Sequence, residues 1–148
     1  MWHRRTDRVE AACDGALARL VAKESQGANP DVFTEVGEVL FWLFALASAR
    51  HRHKDAVFKG LGWARDRIAH GMLVWEAPVQ WRYGSELGRW VIGRGQLGVR
   101  SAHMWPASDK IPLGPNDRKA PTGREAYDQH LAGREVVQSL REALDQLR

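Results

Sequence analysis

The sequence predicts an all-α protein, namely an up-and-down bundle of about four helices with a short β-hairpin or loop insertion between the third and last helices. Two observations support this prediction. Four segments repeat apolar residues at helical spacing, and glycine or proline lies between the first two of them and between the last two. With 148 residues, of which 44% are hydrophobic and 27% charged, the chain has the size and composition of one folded domain. We therefore expect residues 1–148 to form a single domain.

The first two helices are predicted from their apolar positions and their ends. Apolar side chains recur at helical spacing in residues 7–23, and Gly27 follows the end of that pattern. The second helix is predicted over residues 30–50, with Pro30 at its first position. From Val39 onward this segment is apolar on nearly every side, which indicates a helix in the middle of a bundle.

The third and last helices are predicted in the same way. Residues 54–70 carry one apolar stripe, and Gly71 is expected to end that helix in a left-handed conformation. Thr122 and Glu125 have the spacing of a capping box, from which one long amphipathic helix is predicted to run to the C-terminus.

Residues 75–119 are predicted as an irregular insertion between these helices. Their first part alternates apolar and polar residues around a glycine-rich turn, which is typical of a short β-hairpin. The residues of this pattern are Val79, Trp81, Tyr83, Trp90 and Ile92. Residues 99–119 are rich in turn-forming residues and are predicted as a loop.

Several protein classes are disfavoured by composition. Cys13 is the single cysteine, so the chain has neither a disulfide framework nor zinc-binding cysteine spacing. The first residues enter a charged amphipathic pattern and lack the apolar stretch of a signal peptide. The longest apolar run, residues 39–49, is shorter than the ~20 residues needed to cross a bilayer. We therefore expect a cytoplasmic protein with no membrane partner.

The formal net charge of +4 is compatible with RNA as a partner. Basic residues cluster after the second helix and along the third. The candidate RNA-binding residues among them are Arg50, Arg52, Lys54 and Arg67. A solvated helix end explains the same cluster equally well. The neighbouring pair His51 and His53 is not expected to bind a metal, because the basic residues around it oppose a dication; no metal and no cofactor are expected.

The residues that suggest chemistry lie at the end of the third helix, where Arg65 and Asp66 precede His70. Histidine exchanges protons near neutral pH and suits a general acid or base. Arginine stays charged and presents a planar fork to phosphate oxygens. Asp66 lies one helical turn before His70 and could orient its imidazole. Glu38 on the second helix could hold Arg65, or it could simply be solvated.

This pattern resembles the HEPN superfamily, whose signature is an arginine, a polar residue directly after it and a histidine at the end of a core helix. Arg65, Asp66 and His70 match those positions, although many members have asparagine where this chain has Asp66. The resemblance implies a metal-independent endoribonuclease that cleaves RNA through attack by the 2′-hydroxyl. It also implies a homodimer, and a toxin with a possible antitoxin partner or a phage-defence effector.

Two other interpretations fit the same residues. The chain could be a non-catalytic HEPN module that binds nucleotides or a protein partner. Alternatively, His70 could be a cation that complements the dipole of its helix, with Arg65 as a surface partner for an acidic residue.

Overall fold

A computed structural model describes residues 3–26, 31–69, 79–80, 101–112 and 121–148. The α-helices of these segments are α1 (His3–Glu24), α2 (Phe33–Ala49), α3 (Ala56–Ala69), α4 (Pro121–His130) and α5 (Val136–Gln146), and a 3₁₀ helix spans Ser108–Lys110. Helices thus form most of the described chain, which confirms the all-α class. No described helix has both the length and the apolar character that a membrane-crossing segment requires.

Helix α2 lies at the centre of this arrangement and contacts α1, α3 and α5. The buried residues of α2 are Val36, Val39, Leu40, Leu43, Leu46 and Ala47. They join one apolar core with buried residues of α1, α3 and α5, among them Leu20, Phe58 and Leu140. Burial of this apolar surface is the main source of stability, and the near-continuous apolar stretch in the sequence predicted the central position of α2.

The connection from α2 to α3 is a tight reversal. His51 has a φ of 57°, in the left-handed region. Its N–H donates to the carbonyl of Ser48 at 3.1 Å, and the N–H of Arg52 donates to the carbonyl of Ala47 at 2.8 Å. This pair of hydrogen bonds is a Schellman motif, which satisfies the last carbonyls of α2 and turns the chain back along it.

The prediction of one long last helix is wrong, because residues 131–135 separate α4 from α5. Gly133 has a φ of 76°, and its N–H donates to the carbonyl of Trp105 at 2.8 Å. Val136 in turn donates to the carbonyl of His103 at 2.9 Å. The helical pattern stops here because the backbone pairs with residues 103–105, a contact between distant parts of the chain.

The start of α4 differs from the prediction, and the predicted hairpin lies only partly within the described residues. Helix α4 begins at Pro121, so Thr122 lies in its first turn and not at the cap position. Strand β1 (Val79–Gln80) pairs antiparallel with β2 (Ser101–Ala102), in the register Val79↔Ala102. The predicted hairpin partners, Trp90 and Ile92, lie outside the described residues, and so does Gly71. The hairpin therefore stays a prediction.

Candidate functional site

Arg65 lies on α3, and its side chain extends over an aromatic ring of α2. The guanidinium carbon is 4.1 Å from the centroid of the Phe44 ring, within the distance of a cation–π interaction. The Arg65 side chain remains 38% exposed. The structure therefore places a permanent positive charge at the edge of the α2–α3 interface, held from one side and open to solvent.

This contact depends on the close approach of the two helices. A Cβ atom at Gly62 would lie 3.0 Å from Cε2 of Phe44, and one at Gly37 would lie 3.1 Å from Cγ2 of Ile68. Both distances are shorter than ordinary van der Waals contact. The ring of Phe44 consequently packs over the surface that Gly62 leaves without a side chain, next to Arg65 on the same helix.

The carboxylate of Asp66 contacts the guanidinium of Arg65. Its Oδ1 accepts hydrogen bonds from Nε at 3.3 Å and from Nη2 at 3.0 Å. The sequence interpretation had assigned this carboxylate to His70, which lies outside the described residues. Within the described part of the chain, Arg65 is the residue that donates to Asp66. A ring on one face and a carboxylate on one edge thus define the position of the Arg65 guanidinium.

Arg67 belongs to the interior. It is 7% exposed, and its guanidinium carbon is 5.4 Å from the centroid of the Trp63 ring. Trp63 in turn packs against Tyr127 of α4, with their ring centroids 4.7 Å apart. The position predicted as an RNA contact therefore lies inside the protein, beside the surface where α3 packs on α4.

Glu38 is engaged by a different arginine from the one expected. Arg19 of α1 donates through Nε to Glu38 at 3.3 Å and also through Nη2. Because both carboxylate oxygens of Glu38 face Arg19, this acidic group links α1 to α2. It does not contact Arg65.

In the basic cluster after α2, the two arginines form ion pairs within the protein, whereas Lys54 is exposed. Arg50 donates to Glu10 at 2.8 Å, and Arg52 donates to Asp55 and to the carbonyl of Gln146, both at 2.7 Å. These two arginines tie the α2–α3 turn to α1 and to the end of α5. Lys54 is exposed and takes part in no ion pair with the described residues.

Sequence reasoning missed Phe44, because it treated this residue as one more apolar position of a buried helix. A signal was nevertheless present in α3. Glycine inside a helix costs about 1 kcal/mol relative to alanine, so Gly62 indicates that another group approaches closely. The sequence does not say which group this is, since the partner lies on another helix.

In the part of the chain that the structure describes, no three or more His, Cys, Asp and Glu side chains form a group that could hold a metal ion. Comparison of the chain with models of protein families, with curated proteins and with solved structures returned no match.

Proposed function

We propose that this protein is a HEPN-type ribonuclease, a metal-independent endonuclease with Arg65 and His70 as its catalytic residues. The observation that carries the proposal is the guanidinium of Arg65, which is held by Phe44 and Asp66 yet stays partly exposed at the end of α3. His70 follows α3 directly in the sequence, one residue beyond its last position. The motif thus combines a placed cation with a group that exchanges protons.

The reaction that fits these groups is RNA transesterification. The 2′-oxygen forms a bond to the adjacent phosphorus while the bond from phosphorus to the 5′-oxygen breaks, leaving a 2′,3′-cyclic phosphate. His70 takes the proton of the 2′-hydroxyl as a general base, or in its protonated form gives a proton to the departing 5′-oxygen as a general acid, and water accepts or supplies the other proton. Arg65 stabilises the additional negative charge on the phosphorane, and its charge is constant at physiological pH.

We propose a homodimer as the active form. Residues five positions apart differ by ~140° around an α-helix, so Arg65 and His70 of one copy diverge if the helical geometry continues. A two-fold dimer that packs the third helices side by side would place both residue types in one cleft. Such an up-and-down bundle dimer would act as a toxin neutralised by an antitoxin, or as a phage-defence effector.

A second candidate follows from the contact between Arg65 and Asp66. The carboxylate occupies the edge formed by Nε and Nη2, and there it competes with a phosphate. The second candidate is a non-catalytic HEPN module that binds nucleotides or a protein partner, because binding without turnover does not require this edge to stabilise a phosphorane.

The deciding experiment compares the wild type with Arg65→Ala and His70→Ala on total RNA in excess EDTA. Lys59→Ala is the matched control, because Lys59 is an exposed cation on the same helix. Cleavage by the wild type and the control, with 2′,3′-cyclic phosphate ends, and cleavage slower by about a hundredfold or more in the other two variants, would support the ribonuclease. Circular dichroism would verify that all variants are folded. Intact RNA in every sample, together with nucleotide binding by the wild type, would favour the second candidate.

A further inference from the structure

Phe44 of α2 and Arg65 of α3 form a contact at the surface of the protein, outside the apolar core. The arginine side chain is long and has many rotamers, so an exposed guanidinium without a contact samples many positions. Here the guanidinium carbon stays 4.1 Å from the centroid of an aromatic ring. The contact therefore restricts the plane of the guanidinium before any ligand arrives, which lowers the entropic cost of binding.

The ring itself has little freedom. Gly62 lies under it, and even a single methyl group at that position would lie 3.0 Å from Cε2 of Phe44. The sequence thus places a residue without a side chain beside the ring that contacts Arg65.

Asp66 determines which part of Arg65 remains for a ligand. Its Oδ1 takes the edge formed by Nε and Nη2, and Phe44 covers one face. Among the described residues, no acceptor lies at Nη1 of Arg65. The fork between Nη1 and Nη2 is therefore the edge that can meet two oxygens of a phosphate end-on.

We propose that Phe44 is the positioning residue for Arg65, and that the ring directs the Nη1–Nη2 end of the guanidinium towards an RNA phosphate. The identity of the ligand rests on the proposed function, whereas the positioning contact is a property of the free protein. Phe44 acts through Arg65 and does not itself touch the RNA.

The first arm of the test measures the free protein by nuclear magnetic resonance. The Nε–H signal of Arg65 is identified by its disappearance in Arg65→Ala. Because a ring shifts the resonance of a proton that lies near it, Phe44→Leu should move this signal, whereas Phe44→Tyr, which retains the ring, should leave it close to its original position. Lys59→Ala is the control and should not affect the signal. An unchanged signal in Phe44→Leu would overturn the proposal.

The second arm measures RNA cleavage with the same proteins. Phe44→Leu should lower kcat about tenfold with little change in KM, and Phe44→Tyr should restore it. In the Arg65→Ala background, Phe44→Leu should have no further effect, because the ring acts only through the arginine. Equal effects in both backgrounds would show a merely structural role and would overturn the proposal. If the wild type cleaves no RNA while the first arm gives the expected shifts, the proposed function fails and the positioning role of Phe44 is supported.

Discussion

Glu38 on α2 is bound by Arg19 on α1, with 3.3 Å between Nε of the arginine and Oε2 of the carboxylate. Glu38 is thus directed towards α1. The carboxylate that contacts Arg65 belongs to its neighbour in the sequence, Asp66. The charge of Arg65 is thus balanced within α3, and α2 contributes the aromatic ring of Phe44.

Replacement of Glu38 should therefore have a small effect on stability and none on Arg65. The side chains of Arg19 and Glu38 are 57% and 37% exposed, and ion pairs of this kind contribute less than ~1 kcal/mol. Glu38→Gln is expected to lower the free energy of unfolding by no more than that, as measured by urea denaturation. RNA cleavage should be unchanged. A loss of cleavage as large as that of Arg65→Ala would contradict the pairing seen here.

The two basic residues Arg52 and Lys54 should respond differently to substitution. Arg52 joins Asp55 to the end of α5, so Arg52→Ala should lower stability by about 1 kcal/mol. Lys54 is exposed, and Lys54→Ala should change stability by less than ~0.5 kcal/mol.

If Lys54 binds an RNA phosphate, its replacement should also reduce the slope of log affinity against log salt concentration by about 1. Filter binding of RNA over a range of salt concentrations measures this slope. An unchanged slope for Lys54→Ala would show that Lys54 does not bind an RNA phosphate.

Gly60 should be intolerant of any side chain. A Cβ atom there would lie 3.0 Å from the backbone N and Cα of Tyr127, at the crossing of α3 and α4. Gly60→Ala is expected to destabilise the protein by about 1–2 kcal/mol, because the clash outweighs the better helix propensity of alanine. Thermal or urea unfolding measures the change.

Gly15 on α1 provides the matched control. A Cβ atom at that position would meet only the end of the Arg19 side chain, at 3.4 Å. Gly15→Ala should stabilise the protein by up to ~1 kcal/mol. Similar effects of the two substitutions would contradict the close crossing at Gly60.

Cys13 should make the stability of the protein sensitive to alkaline pH. Burial, and to a smaller degree the charge of Asp14, raise the pKa of this thiol from 9.0 to about 12. The folded state thus keeps a proton that the unfolded state loses. The contribution of the protonated thiol to the free energy of unfolding is complete below about pH 9 and falls as the pH rises towards 12.

The comparison with Cys13→Ala separates this effect from other groups that titrate at high pH. Between neutral pH and about pH 10, the wild type should lose about 1 kcal/mol more unfolding free energy than the variant does. The native thiol should also react slowly with alkylating reagents until the protein is unfolded. Equal losses in the two proteins would show that the thiol does not titrate on unfolding.

Local patterns predicted much of the fold. The spacing of apolar residues placed α1, α2 and α3 within a few residues of their observed bounds, because an amphipathic helix repeats its pattern over neighbouring residues. The break between α4 and α5 was missed for the opposite reason. It depends on hydrogen bonds from residues 133–136 to residues 103–105, which are remote in sequence.

For the candidate site, the sequence by itself determined which chemical groups follow one another on α3: a guanidinium, a carboxylate and, beyond the helix, an imidazole. Only the tertiary structure decided which residues contact these side chains and their neighbours. It buries Arg67 beside Trp63, turns Glu38 to Arg19 and places Phe44 under Arg65. The physical reason is that Glu38 and Arg19 lie on different helices, as do Phe44 and Arg65, while Trp63 beside Arg67 packs against Tyr127 of α4. These contacts are decided by how closely the helices pack.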